Sequence, residues 1–470
     1  MRQSVEDDAA YALSTTEWSA FVVRTYSGGA VADEPIMDGL RAQAERILRG
    51  NDVGEFTKPG PRQYPHQWNW DAALIALGLA HFDLPRALTE IRALLRGQWR
   101  DGMVPHILYH TGPSDYFPEP DFWQITTSPN APALATSGLT QPPVLATVVR
   151  MIHARTPIHE FVRQVYPGLL RWHRWLHTAR AIEGTALACI IHPWESGTDD
   201  SPRWLRAMDD IIPRELPPYR RRDTVHVPDA ERPSDVDYER FVYLIDVFRQ
   251  NRYEAARLLA CSPFLVQDVM FNAILYRADQ DLSALAHELG EPTDEIAAWL
   301  NSVRANFNAR FWDDARGLYM DYNVRAHAPI CVNTCATFAP LWAGLASEQQ
   351  AARLVVEHFD NPLEYAPNTN TRYRLPSTAK NERDYAPRRY WCGPVWINMN
   401  WMIAEGLRRC GYDTRADLLV RDALALMQLS GLREYYDPRD GRGCGATDFG
   451  WSAALAIEML SSKSIFGARF

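Results

Sequence analysis

The chain has 470 residues, 46% of them hydrophobic, with 49 basic against 58 acidic side chains and a net charge of −9. That composition builds a large buried core and argues against a disordered chain. The acidic balance, with no basic run, disfavours nucleic acid as a partner, and no apolar stretch approaches the roughly 20 residues of a membrane span.

Seven scattered cysteines, an odd number, give no disulfide framework and point to a reducing cytoplasm. Cys331 and Cys335 read as core thiols, since no second Cys or His pair accompanies them as zinc would require. The 16 Trp and 20 Tyr often sit in loops beside polar residues, where flat aromatic faces suit sugar rings as well as core packing.

From the N-terminus, Met1-Arg2-Gln3-Ser4-Val5-Glu6-Asp7-Asp8 is polar and acidic, unlike a secretory signal. Residues 1–35 read as a partly loose segment before a single catalytic domain over 36–470. One pattern then recurs six times: a polar, aromatic or proline-bearing loop followed by an apolar helix. Gln67-Trp68-Asn69-Trp70-Asp71 precedes 72–80, and Thr140-Gln141-Pro142-Pro143 precedes 144–152. Asp237-Tyr238-Glu239-Arg240 precedes 241–248, and Asn333-Thr334-Cys335 precedes 336–345. Gly393-Pro394-Val395-Trp396 precedes 397–407, and Phe449-Gly450-Trp451 precedes 452–460.

Between these lie amphipathic segments at 85–99, 160–176, 263–285, 293–307, 348–358 and 414–427. Strand-like alternation is scarce. Six apolar helices alternating with six amphipathic ones predict an all-α, two-layer helical toroid whose loops gather at one end. Two stretches, 106–137 and 203–237, read as loop insertions over the pocket.

Two acid segments carry the chemistry. In Trp194-Glu195-Ser196-Gly197-Thr198-Asp199-Asp200-Ser201, aromatic surroundings would raise a carboxyl pKa, as a general acid needs. Asp199 or Asp200 would equally serve as a helix cap, and Glu195 is a rival acid. In Glu434-Tyr435-Tyr436-Asp437-Pro438, a loop pinned by proline and glycine could hold a base that activates water. Paired carboxylates among aromatics are what glycosidic hydrolysis requires. Asp71 either binds a sugar hydroxyl, the reading favoured by its neighbours, or caps its helix.

With these motifs, and with Tyr64-Pro65-His66-Gln67, Glu231-Arg232-Pro233-Ser234-Asp235 and Tyr390-Trp391-Cys392-Gly393-Pro394-Val395-Trp396, the chain resembles glycoside hydrolase family 63. It is most similar to the bacterial branch acting on mannosylglycerate and glucosylglycerate. The resemblance implies an (α/α)6 barrel and an inverting mechanism, with Asp199 as general acid and Glu434 as general base. It implies sugar contacts from Tyr64, Gln67, Trp68, Asp71, Gln141, Trp194, Gly197, Tyr390, Trp391 and Trp396, with Tyr116 joining from the insertion. Arg232 and Tyr238 fall where that branch handles the aglycone. Arg232 would pair with a carboxylate bidentately, or else form a structural salt bridge with Asp235 or Asp237. Where the family commonly has Arg, this chain has Cys392, which removes a fixed cation and leaves the substrate open.

The expected reaction is a single displacement with the carboxyl groups roughly 6.5–9.5 Å apart, needing no metal and no cofactor. The substrate would be a small α-glucoside or α-mannoside, without nucleic acid or membrane, and a homo-oligomer is compatible. The alternatives are an α-glucosidase on neutral disaccharides or oligosaccharides, trehalase-like, or a non-catalytic carbohydrate-binding toroid. An epimerase on a similar toroid is a further reading, disfavoured because only His192 lies in an acid motif.

Overall fold

The computed structural model describes residues 34–110, 116–182 and 184–461. The expectation of a loose segment over 1–35 falls almost entirely outside them, as does part of the first insertion.

Six helices form a closed inner ring: Asn69–Leu79, Leu145–Arg155, Val269–Leu289, the 3-10 turn Cys335–Phe338 running into Ala339–Ala343, Ile397–Arg409 and Gly450–Ser461. Each touches the next, and the last closes against the first. Outside them stand Glu34–Asn51, Leu84–Arg96, His159–Trp175, Asp294–Phe311, Glu348–Arg353 with its continuation Leu354–Phe359, and Asp413–Ser430. The molecule is the (α/α)6 barrel expected. Every residue of Asn69–Leu79 is buried, whereas Leu84–Arg96 buries one stripe and turns the rest outward, the difference between a helix packed all round and one packed on a single face.

One place in the ring differs from the sequence reading. That reading put 241–248 inside and 263–285 outside. In the structure Val269–Leu289 is the inner helix, and Asp235–Gln250 instead packs against the first acid segment, with Phe241 O 3.0 Å from His192 Nε2. The polar residues of 263–285 suggested a solvated face. One of them is spent internally: Asp279 meets His173 Nδ1 at 2.7 Å and His177 Nε2 at 2.9 Å, both on the neighbouring outer layer. A charge with such partners is buried without exposing its helix.

Short strands support the loops. Cys189–Ile190, Val266–Gln267, Asp321–Asn323 and Ala328–Ile330 form one antiparallel sheet, with Cys189 opposite Gln267 and Asp321 opposite Ile330. Its first strand delivers the chain into the first acid segment. The hairpin Tyr435–Tyr436 with Gly443–Cys444 carries the second. Among the described residues no helix is long and apolar enough to cross a membrane.

Candidate active site

A cavity opens where the inner helices begin. Tyr64, Trp68, Asp71, Tyr116, Gln141, Trp194, Gly197, Asp199, Arg232, Tyr238, Tyr390, Trp391 and Glu434 all line it. Residues from segments nearly four hundred positions apart therefore meet in one chamber. The Asn333-Thr334-Cys335 loop does not reach it; Asn333 is held by Glu364 at 2.9 Å and Tyr365 at 2.6 Å.

The first acid segment leaves its strand, makes a 3-10 turn over Pro193–Ser196 and reverses at Gly197, whose φ is +70°. A Cβ at Gly197 would stand 2.6 Å from the Trp70 ring, so the turn needs glycine both for its backbone and for its space. Thr198 is gripped from behind: Arg203 Nη2 donates to Thr198 Oγ1 at 2.9 Å and Trp204 Nε1 to Thr198 O at 2.9 Å. The three acids then separate. Glu195 is fully buried, taking Arg180 Nη2 at 2.6 Å and the Ile191 amide at 2.8 Å. Asp200, also fully buried, is gripped by Arg389 at 2.8 and 3.1 Å. Asp199 alone of the three faces the cavity, with Tyr390 Oη 3.5 Å from its Oδ2.

Burial pushes the Asp199 carboxyl up to about 8, and the charges of Asp200 and Glu434 add to it against the opposing pull of Arg232. Asp71, in the first turn of its helix though not its cap, is also raised well above the usual carboxylate range, by burial first and then by the charges of Glu434 and Asp199.

Glu434 is held by three donors. Tyr64 Oη donates to Oε1 at 2.6 Å, while Arg232 Nη2 at 3.0 Å and the Ala446 amide at 2.8 Å share Oε2. Arg232 is buried; its Nη1 donates to Tyr64 Oη at 3.1 Å and its guanidinium lies 4.7 Å from the centre of the Tyr390 ring. Its Nε has no partner among the described residues. The salt bridge to Asp235 or Asp237 does not form: Asp235 takes Arg221, and Asp237 takes Arg240 and Arg389.

Two expected sugar contacts lie elsewhere. Gln67 is fully buried outside the cavity, bonded to Glu90 Oε1 at 2.6 Å and 2.7 Å from His110 Nε2. Trp396 stands behind Trp391, their rings stacked at 3.8 Å, and donates to Tyr390 O; it supports the wall rather than forming it. Cys392 is buried, its Sγ 3.1 Å from Asp200 O, and the cation beside Asp200 comes from Arg389 three residues earlier. Gln63, Trp70, His106, Phe117, Asp223, Pro233, Phe449 and Trp451 line the cavity without having been singled out. Trp70 and Trp451 stand in loops already noted for aromatics. His106 carried no such signal; burial holds its imidazole down at about 3, hence neutral.

His153, His159 and Glu288 cluster closely enough to suggest a metal. However, His153 Nδ1 accepts the Ile158 amide at 2.9 Å, which leaves the proton on Nε2, 2.8 Å from Glu288. A metal ligand would carry its proton the other way round, so this is a hydrogen-bonded pair.

Residues 64–452 match the family described as the Mannosylglycerate hydrolase MGH1-like glycoside hydrolase domain. The chain is 45% identical over 422 residues to a mannosylglycerate hydrolase of Thermus thermophilus, covering 88% of this chain and 99% of that one. It is 37% identical over 437 residues to a glucosylglycerate hydrolase of Mycolicibacterium hassiacum, covering 90% and 97%. The fold is similar to the crystal structure of the family 63 mannosylglycerate hydrolase from Thermus thermophilus in complex with Tris and D-glycerate, with a TM-score of 0.83, 44% identity, and 89% and 99% of the chains covered.

Proposed function

The chain belongs to glycoside hydrolase family 63, among the mannosylglycerate hydrolase MGH1-like domains, and from that premise we propose that it hydrolyses a small α-glucoside or α-mannoside of glycerate by single displacement. The observation that carries the reading is one buried cation, Arg232, lining the same chamber as Asp199 and Glu434. A carboxylate on the aglycone would meet that cation with charge-assisted bonds at both ends, stronger than those a neutral disaccharide hydroxyl can offer.

The sugar would sit among Trp68, Trp70, Asp71, Gln141 and Trp391, with Tyr116 and Tyr238 closing the other side. Asp199, neutral near pH 7, donates its proton to the leaving oxygen as the anomeric C–O bond breaks. Glu434 takes a proton from the water that attacks the opposite face, so the configuration inverts. Tyr64 and Arg232 hold Glu434 aimed. All seven cysteines are free thiols, which supports placing the reaction in the cytoplasm.

The test is sugar release from glucosylglycerate, mannosylglycerate, trehalose, maltose, isomaltose and kojibiose, with Asp199→Asn and Glu434→Gln beside wild type. Glycerate glycosides should be preferred, both variants should lose roughly 10²–10⁴-fold in turnover, and proton NMR should show the β-anomer released first. Preference for a neutral disaccharide, or first release of the α-anomer, would overturn the reading.

A further inference from the structure

Behind the aglycone wall lies a second cavity, lined by Arg62, Gln63, His226, Glu231, Arg433 and Arg442 with the 443–447 turn. In a chain of net charge −9, this concentration of cations is out of character. Glu231 is the one carboxylate in the lining, and it accepts the Gly445 amide at 3.1 Å. Among the described residues none of Arg62, Arg433 or Arg442 forms an ion pair. Most arginines elsewhere on this protein do, including Arg86, Arg174 and Arg415.

A second observation points the same way. Gln63 lines both cavities and is only 7% exposed. Its Nε2 donates to Asp223 O at 2.9 Å, while its Oε1 is buried with no partner among the described residues. A buried, unmet acceptor asks for a donor. Cations that want an oxyanion, beside an acceptor that wants a hydroxyl, together describe one ligand.

We propose that this second cavity binds a small hydroxylated oxyanion, next to the catalytic pocket and separate from it. Two sources share that chemistry: a hydroxycarboxylate, such as the aglycone that the proposed reaction would release, and hydrogen phosphate. The site itself does not depend on which glycoside is cleaved.

The experiment titrates D-glycerate and, separately, inorganic phosphate into wild type, Arg62→Gln/Arg442→Gln and Arg232→Leu by calorimetry, with hydrolysis assayed in parallel. The double variant changes only exposed residues outside the catalytic pocket. Binding should weaken about ten-fold or more in the double variant and persist in Arg232→Leu. A loss confined to glycerate marks a product seat; a loss confined to phosphate marks a free-anion site. Should Arg232→Leu not fold, inhibition of wild type replaces it: an ion in the second cavity gives partial, saturating inhibition that the double variant relieves. Unchanged affinities in the double variant, or inhibition that is fully competitive and insensitive to it, would overturn the proposal while leaving the hydrolytic reading intact.

Discussion

Arg232 Nη2 donates to Glu434 Oε2 at 3.0 Å across 202 positions of sequence, joining the residue implied for the aglycone to the residue implied for the base. Both side chains are almost fully buried. The pair balances the two buried charges and, on the proposed reading, would give a substrate carboxylate a cation to compete for.

Arg232→Leu removes one side of that pair and leaves the Glu434 carboxylate uncompensated. Severing a buried pair costs roughly 3–5 kcal/mol, so kcat/KM on a glycerate glycoside should fall by about 10²-fold or more. Turnover of a neutral glucoside should fall less, narrowing the selectivity. Equal losses on both substrates would mean that Arg232 serves Glu434 alone.

On the proposed mechanism, the raised Asp199 carboxyl would set the alkaline limb of the pH profile. With its proton held up to about pH 8, the proposed acid is loaded at neutral pH and is lost as pH rises through that value. The kcat/KM profile should therefore bend downward near pH 8. Asp200→Asn removes a neighbouring negative charge that helps keep the proton on Asp199, so the limb should move to lower pH. A limb that stays in place would assign it to another group.

Gly445 tests how the second carboxylate is placed. Its φ is +65°, and a Cβ there would stand 2.5 Å from Glu434 Oε2. Gly445→Ala should cost about 1–2 kcal/mol in backbone strain and lower kcat by about 10²-fold with KM little changed, since Glu434 must shift. Full turnover in the folded variant would show that the turn does not aim Glu434.

Asp279 tests the barrel wall. Burial opposes its charge, but His177 and His173 outweigh that and hold the carboxyl below its ordinary 3.8. Because the folded value lies below the unfolded one, this contribution is present above the unfolded value and is lost as pH falls through the folded one. Asp279→Ala should lower unfolding free energy at pH 7 by about 3–5 kcal/mol, measured by denaturant titration. The gap between variant and wild type should shrink as the pH is taken below 4.

Much of this architecture is local in origin. The alternation of loop and apolar helix reflects a 3.6-residue period that each segment carries by itself, and it foretold the two layers. Asp199 and Glu434 stood out because aromatic and glycine neighbours in sequence are also neighbours in space. The exchange of 263–285 for 241–248 was not legible, because Asp279 looks solvent-seeking until His173 and His177 are seen beside it.

The sequence by itself determined which residue types enter the chamber: aromatics at Trp68, Trp194 and Trp391, and the two acids. Tertiary structure alone decided which side chains face it. Gln67 adjoins Trp68 in sequence, yet successive residues of a strand point to opposite faces, and Gln67 turns to Glu90. Trp396 resembles Trp391 in composition but stacks behind it. Arg232 had nearby acids at Asp235 and Asp237 but took Glu434, because Arg221, Arg240 and Arg389 had already claimed them. Periodicity and turn chemistry act over a few bonds and can be read along the chain. The partner of a buried charge is settled by whichever opposite charge the finished packing brings within reach.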